Sequence, residues 1–285
     1  MSDFIANIIS SLGSTPSKIE QYKALIALQC FATPQEWRVF RASSSHNEYS
    51  DEFKKQILTI FYLIFHQKNN SQNYMRQNIN NTISFYYSLS KNKKLLMAFT
   101  GRAQVLFGPI ARVLQYFPSN EYDVLVLRDT SKLGYTQGLP GHSLNFDELV
   151  HKIKDSYISG QYEDVFCMGT SGGGGPALVA AVQVGAKAGV SFSGRPPTSS
   201  KIYGATVSAI KMESTLIEMN NKKNNLTAIF PSEHKDDVIN ATTLNSLGNV
   251  SLFPIYGFSD HNILHDLDLA GRLEEVLIKS GLLCL

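Results

Sequence analysis

Gly169-Thr170-Ser171-Gly172-Gly173 is the stretch that decides how this chain folds. It fits the pattern Gly-x-Ser-x-Gly, and its flanks give the pattern mechanical meaning. Residues 165–168 (VFCM) read as a strand, and residues 176–184 (PALVAAVQV) read as a helix. A serine on the sharp bend between them has its hydroxyl pushed out at the top of a sheet. The glycines suit a strained bend with backbone packed closely on both sides. Ser171 is therefore the candidate nucleophile. Two other readings compete. Glycines 172–175 open a helix, as a phosphate-cradling loop would. No Lys-Ser/Thr pair follows them, however, and no Gly-x-Gly-x-x-Gly occurs in the first strand–helix unit. The plainer alternative is a glycine-rich turn without chemistry.

The composition agrees with a well-packed enzyme-sized chain. With 285 residues, 43% hydrophobic and 18% charged, it can bury one large domain, or one domain with a helical appendage. Lys+Arg of 26 against Asp+Glu of 24 leaves a net charge of +2, which gives no attraction for a polyanion, and no nucleic-acid partner is expected. The three cysteines, Cys30, Cys167 and Cys284, are odd in number and far apart, which fits a reduced, cytoplasmic setting. Cys167 lies in the strand before the bend and reads as a buried apolar residue. The opening MSDFIANIISSLG has no basic n-region and an early Asp3, so it is not read as a signal peptide. Residues 57–65 (ILTIFYLIF) are the longest apolar run, shorter than the roughly 20 residues that span a bilayer. They read as a helix buried against the main domain, and no membrane span is expected.

The pattern changes near residue 80, which divides the chain into a helical N-terminal segment (1–80) and a second part (81–285). Ser17 opens a stretch with Ile19, Tyr22, Leu25, Ile26 and Leu28 at helical spacing. Thr33-Pro34-Gln35-Glu36 has the form of a capping box with proline in the first helical position. Ser50 is placed to cap the next helix, with Phe53, Ile57, Ile60, Phe61 and Ile64 on one side. The polar residues 67–81 (QKNNSQNYMRQNINN) read as a linker. Beyond them, short apolar runs at 83–88, 95–99, 123–127, 165–168, 188–192, 226–230 and 250–255 alternate with helical stretches such as 146–158 and 203–220. That alternation predicts an α/β fold with a mostly parallel sheet and helices on both faces. Function in such sheets gathers at the carboxyl ends of the strands.

From about residue 82 onward the chain resembles the α/β-hydrolase superfamily, in its compact and nearly lidless form. An early strand ending in a glycine turn, the serine bend, an acid after a late strand and a histidine after the last strand appear in that order, and the order Ser, Asp, His is the one found on this fold. The resemblance leaves the N-terminal quarter uncovered. It implies a serine esterase or related acyl hydrolase, with a catalytic triad, an oxyanion hole and no cofactor or metal.

That chemistry asks for specific parts. A serine hydroxyl is a poor nucleophile until an imidazole takes its proton. Seven histidines are available. His261 follows the last predicted strand and precedes a C-terminal helix. His265 is its rival one turn later, inside the helix, where an ordinary surface role is the simpler reading. His142, His151 and His234 fall too early in the chain order. The orienting carboxylate belongs in the loop PSEHKDD (231–237), where Asp237 and Asp236 both qualify and Glu233 is weaker. Asp237 is slightly preferred, although it also reads as a cap for a helix beginning near Ala241. Asp260 reads as a surface neighbour. For the oxyanion hole, Gly172 supplies one backbone N–H. The second falls in Thr100-Gly101-Arg102-Ala103, with Arg102 N–H the preferred donor. The superfamily often has His-Gly here, and this chain has Thr-Gly. Arg128-Asp129 and Gly194-Arg195-Pro196-Pro197 are candidate walls, and residues 194–225 have room for a small cap helix.

Three classes of function follow. The first is a hydrolase or acyltransferase acting through an acyl-enzyme on Ser171, with a small-molecule, carbohydrate or acyl-carrier ester or thioester as substrate. The second is a lyase using the same site. The third is a non-catalytic relative that serves as an interaction module.

Overall fold

The computed structural model describes residues 2–13, 16–44, 49–65, 73–199, 206–218 and 225–283. The chain forms two compact units. One comprises Met1–Arg76 and Gly108–Ser119, the other Gln77–Phe107 and Asn120–Leu285.

The first unit is helical: α1 (Asp3–Leu12), α2 (Lys18–Phe31), α3 (Pro34–Ser44), α4 (Asp51–Phe65) and α5 (Ile110–Leu114). Local sequence starts the first four. Ser2 Oγ accepts from Ile5 N at 3.4 Å. Ser17 and Glu20 form a reciprocal capping box, and Thr33 and Glu36 form another at 2.9 and 3.2 Å. Ser50 Oγ accepts from Phe53 N at 3.3 Å. Each cap satisfies N–H groups that a helix cannot, and contributes about 1 kcal/mol. The helices close over a core that includes Ile5, Leu28, Trp37, Phe40, Ile64 and Ala111.

Four expectations are corrected here. In α2 the buried face is Gln21, Ala24, Leu25 and Leu28. Ile19, Tyr22 and Ile26 of the expected stripe are exposed, because i, i+3, i+4, i+7 spacing from Gln21 fits the core better and Ala24 fills the close approach. In α4, Phe53, Ile57 and Ile64 belong to the helical unit's own core rather than to a main domain. Within 67–81, which read as linker, residues 67–72 lie outside the described residues and the remainder contains a strand, β1 (Met75–Asn78). Residues 108–119, which read as part of the second region, belong to the helical unit.

The second unit holds an eight-stranded sheet in the order β1-β2-β4-β3-β5-β6-β7-β8, apart from Met75 and Arg76 at the start of β1. Its further strands are β2 (Ile83–Tyr87), β3 (Lys94–Phe99), β4 (Tyr122–Leu127), β5 (Val165–Thr170), β6 (Ala188–Phe192), β7 (Leu226–Pro231) and β8 (Val250–Ile255). β2 runs antiparallel to β4, and pairing from β4 through β8 is parallel. β4 and β5 are buried along their whole length, as apolar runs covered on both faces should be.

Its helices are α6 (Phe146–Ile153), α7 (Gly174–Val184), α8 (Val207–Glu218), α9 (Lys235–Leu247), α10 (Ile263–Leu269) and α11 (Leu273–Lys279). α6 runs into a single π-helical turn, Lys154–Ile158. Alternation along β3 separates two faces. Leu95, Met97 and Phe99 enter the core shared with α6, α7, α8 and α9. Leu96 and Ala98 are buried on the other face, where Tyr122 donates to the carbonyl of Leu282 beyond α11. α8 is not a cap over the site, since Ala209, Met212 and Leu216 are buried and the last two join that core. The ends of the expected helix 203–220 fall outside the described residues.

The sheet order reverses at β3. The chain leaves β3 for β4 on one side and returns as β5 on the other. Loops following β3 and β5 therefore diverge and open a crevice at the carboxyl end of the sheet.

Candidate active site

Ser171 stands at that crevice. β5 ends at Thr170, and a 3₁₀ turn, Ser171–Gly173, leads into α7. Ser171 has φ +49°, in the left-handed region. For a residue with a Cβ this costs of order 1–3 kcal/mol and persists only where the surroundings enforce it. Enforcement is visible in its neighbours. A Cβ on Gly169 would lie 2.1 Å from Gly173 O, and one on Gly173 would lie 2.5 Å from Phe99 O. Only glycine permits strand, turn and helix to approach so closely. The carbonyl of Ser171 is held by Arg195 N–H at 3.2 Å and by Gly174 N–H.

His261 arrives from the loop after β8. Its Nε2 is 2.8 Å from Ser171 Oγ. Its Nδ1 is 2.8 and 3.0 Å from the two carboxylate oxygens of Asp237. An ionised carboxylate only accepts, so Nδ1 carries the ring proton and the Nε2 lone pair faces the serine hydroxyl. The Asp237 side chain is 1% exposed and that of His261 28%. The carboxylate is thus shielded from water while the ring reaches the open crevice. Ser171, His261 and Asp237 come from the ends of β5, β8 and β7, and they form one hydrogen-bonded chain.

Asp237 owes its position to α9. The helix begins at Lys235, six residues earlier than the expected start near Ala241, and its N-cap is His234. This places Asp237 in the first turn, pointing inward. Of the two acids left open by the sequence, Asp237 is the one at the imidazole. Asp236 is exposed and lines a separate groove with Arg195, Pro196 and Asn240. Glu233 and Asp260 are also exposed, and Asp260 Oδ1 accepts from Asn262 N at 2.7 Å.

The loop after β3 carries Gly101 and Arg102 beside the serine, where a Cβ on Gly101 would lie 3.2 Å from Ser171 Cβ. Gly101 N–H donates to Thr170 Oγ1 at 3.1 Å, tying this loop to the end of β5. Gln104 spans back to the carbonyl of Asp129 at 2.7 Å. Tyr135 OH lies 2.7 Å from Leu127 O and 3.1 Å from Thr100 O, bracing the same strand ends. Burial pushes its phenol well above the ordinary tyrosine range. Gly172 sits in the opening turn of a helix, where N–H groups have no intrahelical acceptor. Its N–H and that of Arg102 are the donors nominated from sequence, and Gly172 and Arg102 flank one small recess beside the serine turn.

A pocket of about 410 Å³ adjoins these residues. Ser171, His261 and Arg102 line its polar side, with Leu106, Phe192 and Leu264 among its apolar walls. His265 lies in α10 and also lines it. The other proposed walls have structural duties. Arg128 is buried and donates to Ser84 Oγ, and Asp129 accepts from Tyr135 N and Ser131. One neighbour of the relay, outside it, was not recognised from sequence. His234, the N-cap of α9, has Nδ1 3.2 Å from Asp237 Oδ2, and its ring centroid lies 5.7 Å from that of His261. Its sequence signal is capping: His-x-x-Asp across a helix start.

Comparison with solved structures gives the α/β-hydrolase fold. An esterase from Pyrobaculum calidifontis is similar at a TM-score of 0.53 and 11% identity, over 87% of this chain and 95% of that one. Est1E from Butyrivibrio proteoclasticus is similar at 0.50 and 12%, over 74% and 99%. The acylaminoacyl peptidase of Pyrococcus horikoshii is similar at 0.52 and 15%, over 77% of this chain but only 42% of that one. Likeness at such identities establishes the fold alone. No protein-family model matches the chain, and no curated protein matches it.

Proposed function

We propose that this chain is a serine hydrolase that cleaves an ester or thioester through an acyl-enzyme on Ser171. The observation that carries the reading is the unbroken hydrogen-bonded chain from Asp237 through His261 to Ser171 Oγ. His261 Nε2 takes the hydroxyl proton as Oγ attacks the acyl carbon. Asp237 holds the ring in that tautomer and stabilises the imidazolium that forms. The N–H groups of Gly172 and Arg102 face the oxygen on which negative charge develops. His261 then gives its proton to the leaving group, and water, activated by the same ring, releases the acid. No cofactor is required.

The apolar walls of the pocket suit a small acyl group on a small-molecule, carbohydrate or carrier-borne ester. Among the described residues no helix is long and apolar enough to cross a membrane, and we assign the chain to the reducing cytoplasm on its cysteine pattern.

A fluorophosphonate probe tests the reading. The wild-type chain is expected to be labelled covalently, and Ser171→Ala to lose the label. Absence of labelling in folded wild type near neutral pH would overturn it. Retention of activity by His261→Ala would overturn the assignment of the base.

A further inference from the structure

Three side chains converge at the floor of the site in a way that the proton relay does not use. His234 Nδ1 lies 3.2 Å from Asp237 Oδ2. His261 Nδ1 lies 3.0 Å from the same oxygen and 2.8 Å from Oδ1. All the donor atoms fall within 4.8 Å of one another. Two imidazole nitrogens and a carboxylate are ligands suited to zinc, which holds nitrogen at about 2.0–2.1 Å and oxygen at about 2.0–2.2 Å in a tetrahedron. Such bonds put neighbouring ligand atoms a little over 3 Å apart, close to the 3.2 and 3.0 Å that separate Asp237 Oδ2 from the two ring nitrogens.

His234 makes the cluster more than a triad with a bystander. In the ring tautomer with its proton on Nε2, its Nδ1 accepts Asp237 N–H at 3.3 Å and lies 3.2 Å from Asp237 Oδ2. In that tautomer the nitrogen lone pair lies near a carboxylate oxygen as well as the N–H, and a cation between ring and carboxylate can be bound by both. The same N–H is also held by His234 O at 3.0 Å, so the ring can exchange the longer contact for a metal at little cost. Access is open. The side chains of His234 and His261 are 31% and 28% exposed, while Asp237 at 1% forms the base.

We propose that His234, Asp237 and His261 form a binding site for a divalent transition ion of the zinc type, and that its occupancy switches the serine off. The site follows from geometry alone, and only its inhibitory consequence rests on the hydrolase reading. Zinc binds through the electron pair of His261 Nδ1. The ring releases its Nδ1 proton to water and takes one from water at Nε2, so its proton count is unchanged. Nε2–H then faces Ser171 Oγ and cannot accept the hydroxyl proton. Metal also occupies the carboxylate that would stabilise the imidazolium. A fourth position is left for water. Magnesium, which prefers an octahedron of oxygens, does not fit two nitrogens.

The test is isothermal titration of zinc chloride into the 285-residue chain, paired with fluorophosphonate labelling. Wild type is expected to bind zinc with His234→Ala and His234→Asn each weakening it about 10-fold or more, and magnesium giving no heat. His151→Ala is the control, since His151 and Asp155 form an exposed pair at 3.3 Å on the surface. It should leave the tight event unchanged. Zinc should block labelling of wild type, with full recovery on adding a chelator, and should block neither His234 variant at the same concentration. Zinc binding unchanged in both folded His234 variants, or lost in His151→Ala, overturns the site. Binding at His234 with labelling unaffected overturns the switch. Should metal-free wild type take no label, the hydrolase reading fails, and calorimetry still decides the metal site.

Discussion

Asp237 is buried, so its orientation is set by protein contacts rather than by water. In Asp237→Asn an amide replaces the acceptor facing His261 Nδ1, and its NH₂ favours the tautomer with the proton on Nε2, which cannot take the serine proton. Turnover of an activated ester is expected to fall by roughly ten-thousand-fold with far-ultraviolet circular dichroism unchanged. A loss of less than tenfold would remove Asp237 from the relay. Burial also raises the Cys167 thiol and the Tyr135 phenol above their ordinary pKa values. The folded chain therefore keeps protons that an unfolded chain releases. Their contribution to stability is full below the unfolded pKa and declines as pH rises through about 8.5 for the thiol and about 10 for the phenol. Urea midpoints should fall between pH 7.5 and pH 10, and iodoacetamide should reach Cys167 only on unfolding.

Among the elements, the turn joining β5 to α7 and the loop after β3 carry the geometry. Gly173→Ala would drive a methyl to within 2.5 Å of Phe99 O. It should destabilise the fold by about 1–3 kcal/mol, and more if strand and helix cannot separate, as a lower urea midpoint would show. Thr170→Val removes the acceptor for Gly101 N–H. An unpaired buried donor costs about 1–3 kcal/mol. Because the loop that loses its anchor holds the proposed oxyanion donor, kcat should fall more than KM rises. The turn and the strands around it were legible because a strand buried on both faces reads as an unbroken apolar run. β1 was not legible, since its polar Met-Arg-Gln-Asn composition is indistinguishable from a linker. The start of α9 was misread because histidine is an uncommon N-cap, and that error hid the approach of His234 to Asp237.

For the molecule as a whole, the chain order Ser, Asp, His was readable, but the membership of each segment was not. Periodicity marks where an element lies and not which core receives it. Residues 108–119 leave the sheet between β3 and β4 and return to the helical unit, where α5 packs on α2, α3 and α4. Deletion of residues 2–65 therefore strips the cover from Ala111, which is fully buried, and from its neighbours in α5. The truncated chain is expected to aggregate, seen as a shift to the void volume in size-exclusion chromatography. A monodisperse, active fragment would show that the sheet unit tolerates an uncovered α5. The most direct measurement for the molecule is intact-mass spectrometry after acid quenching of a brief reaction with p-nitrophenyl acetate. One acetyl group per chain, mapped by peptide digestion to Ser171 and missing from Ser171→Ala, is the predicted result. Turnover of the ester with no covalent adduct at any quench time, or an adduct on another residue, would contradict nucleophilic catalysis by Ser171.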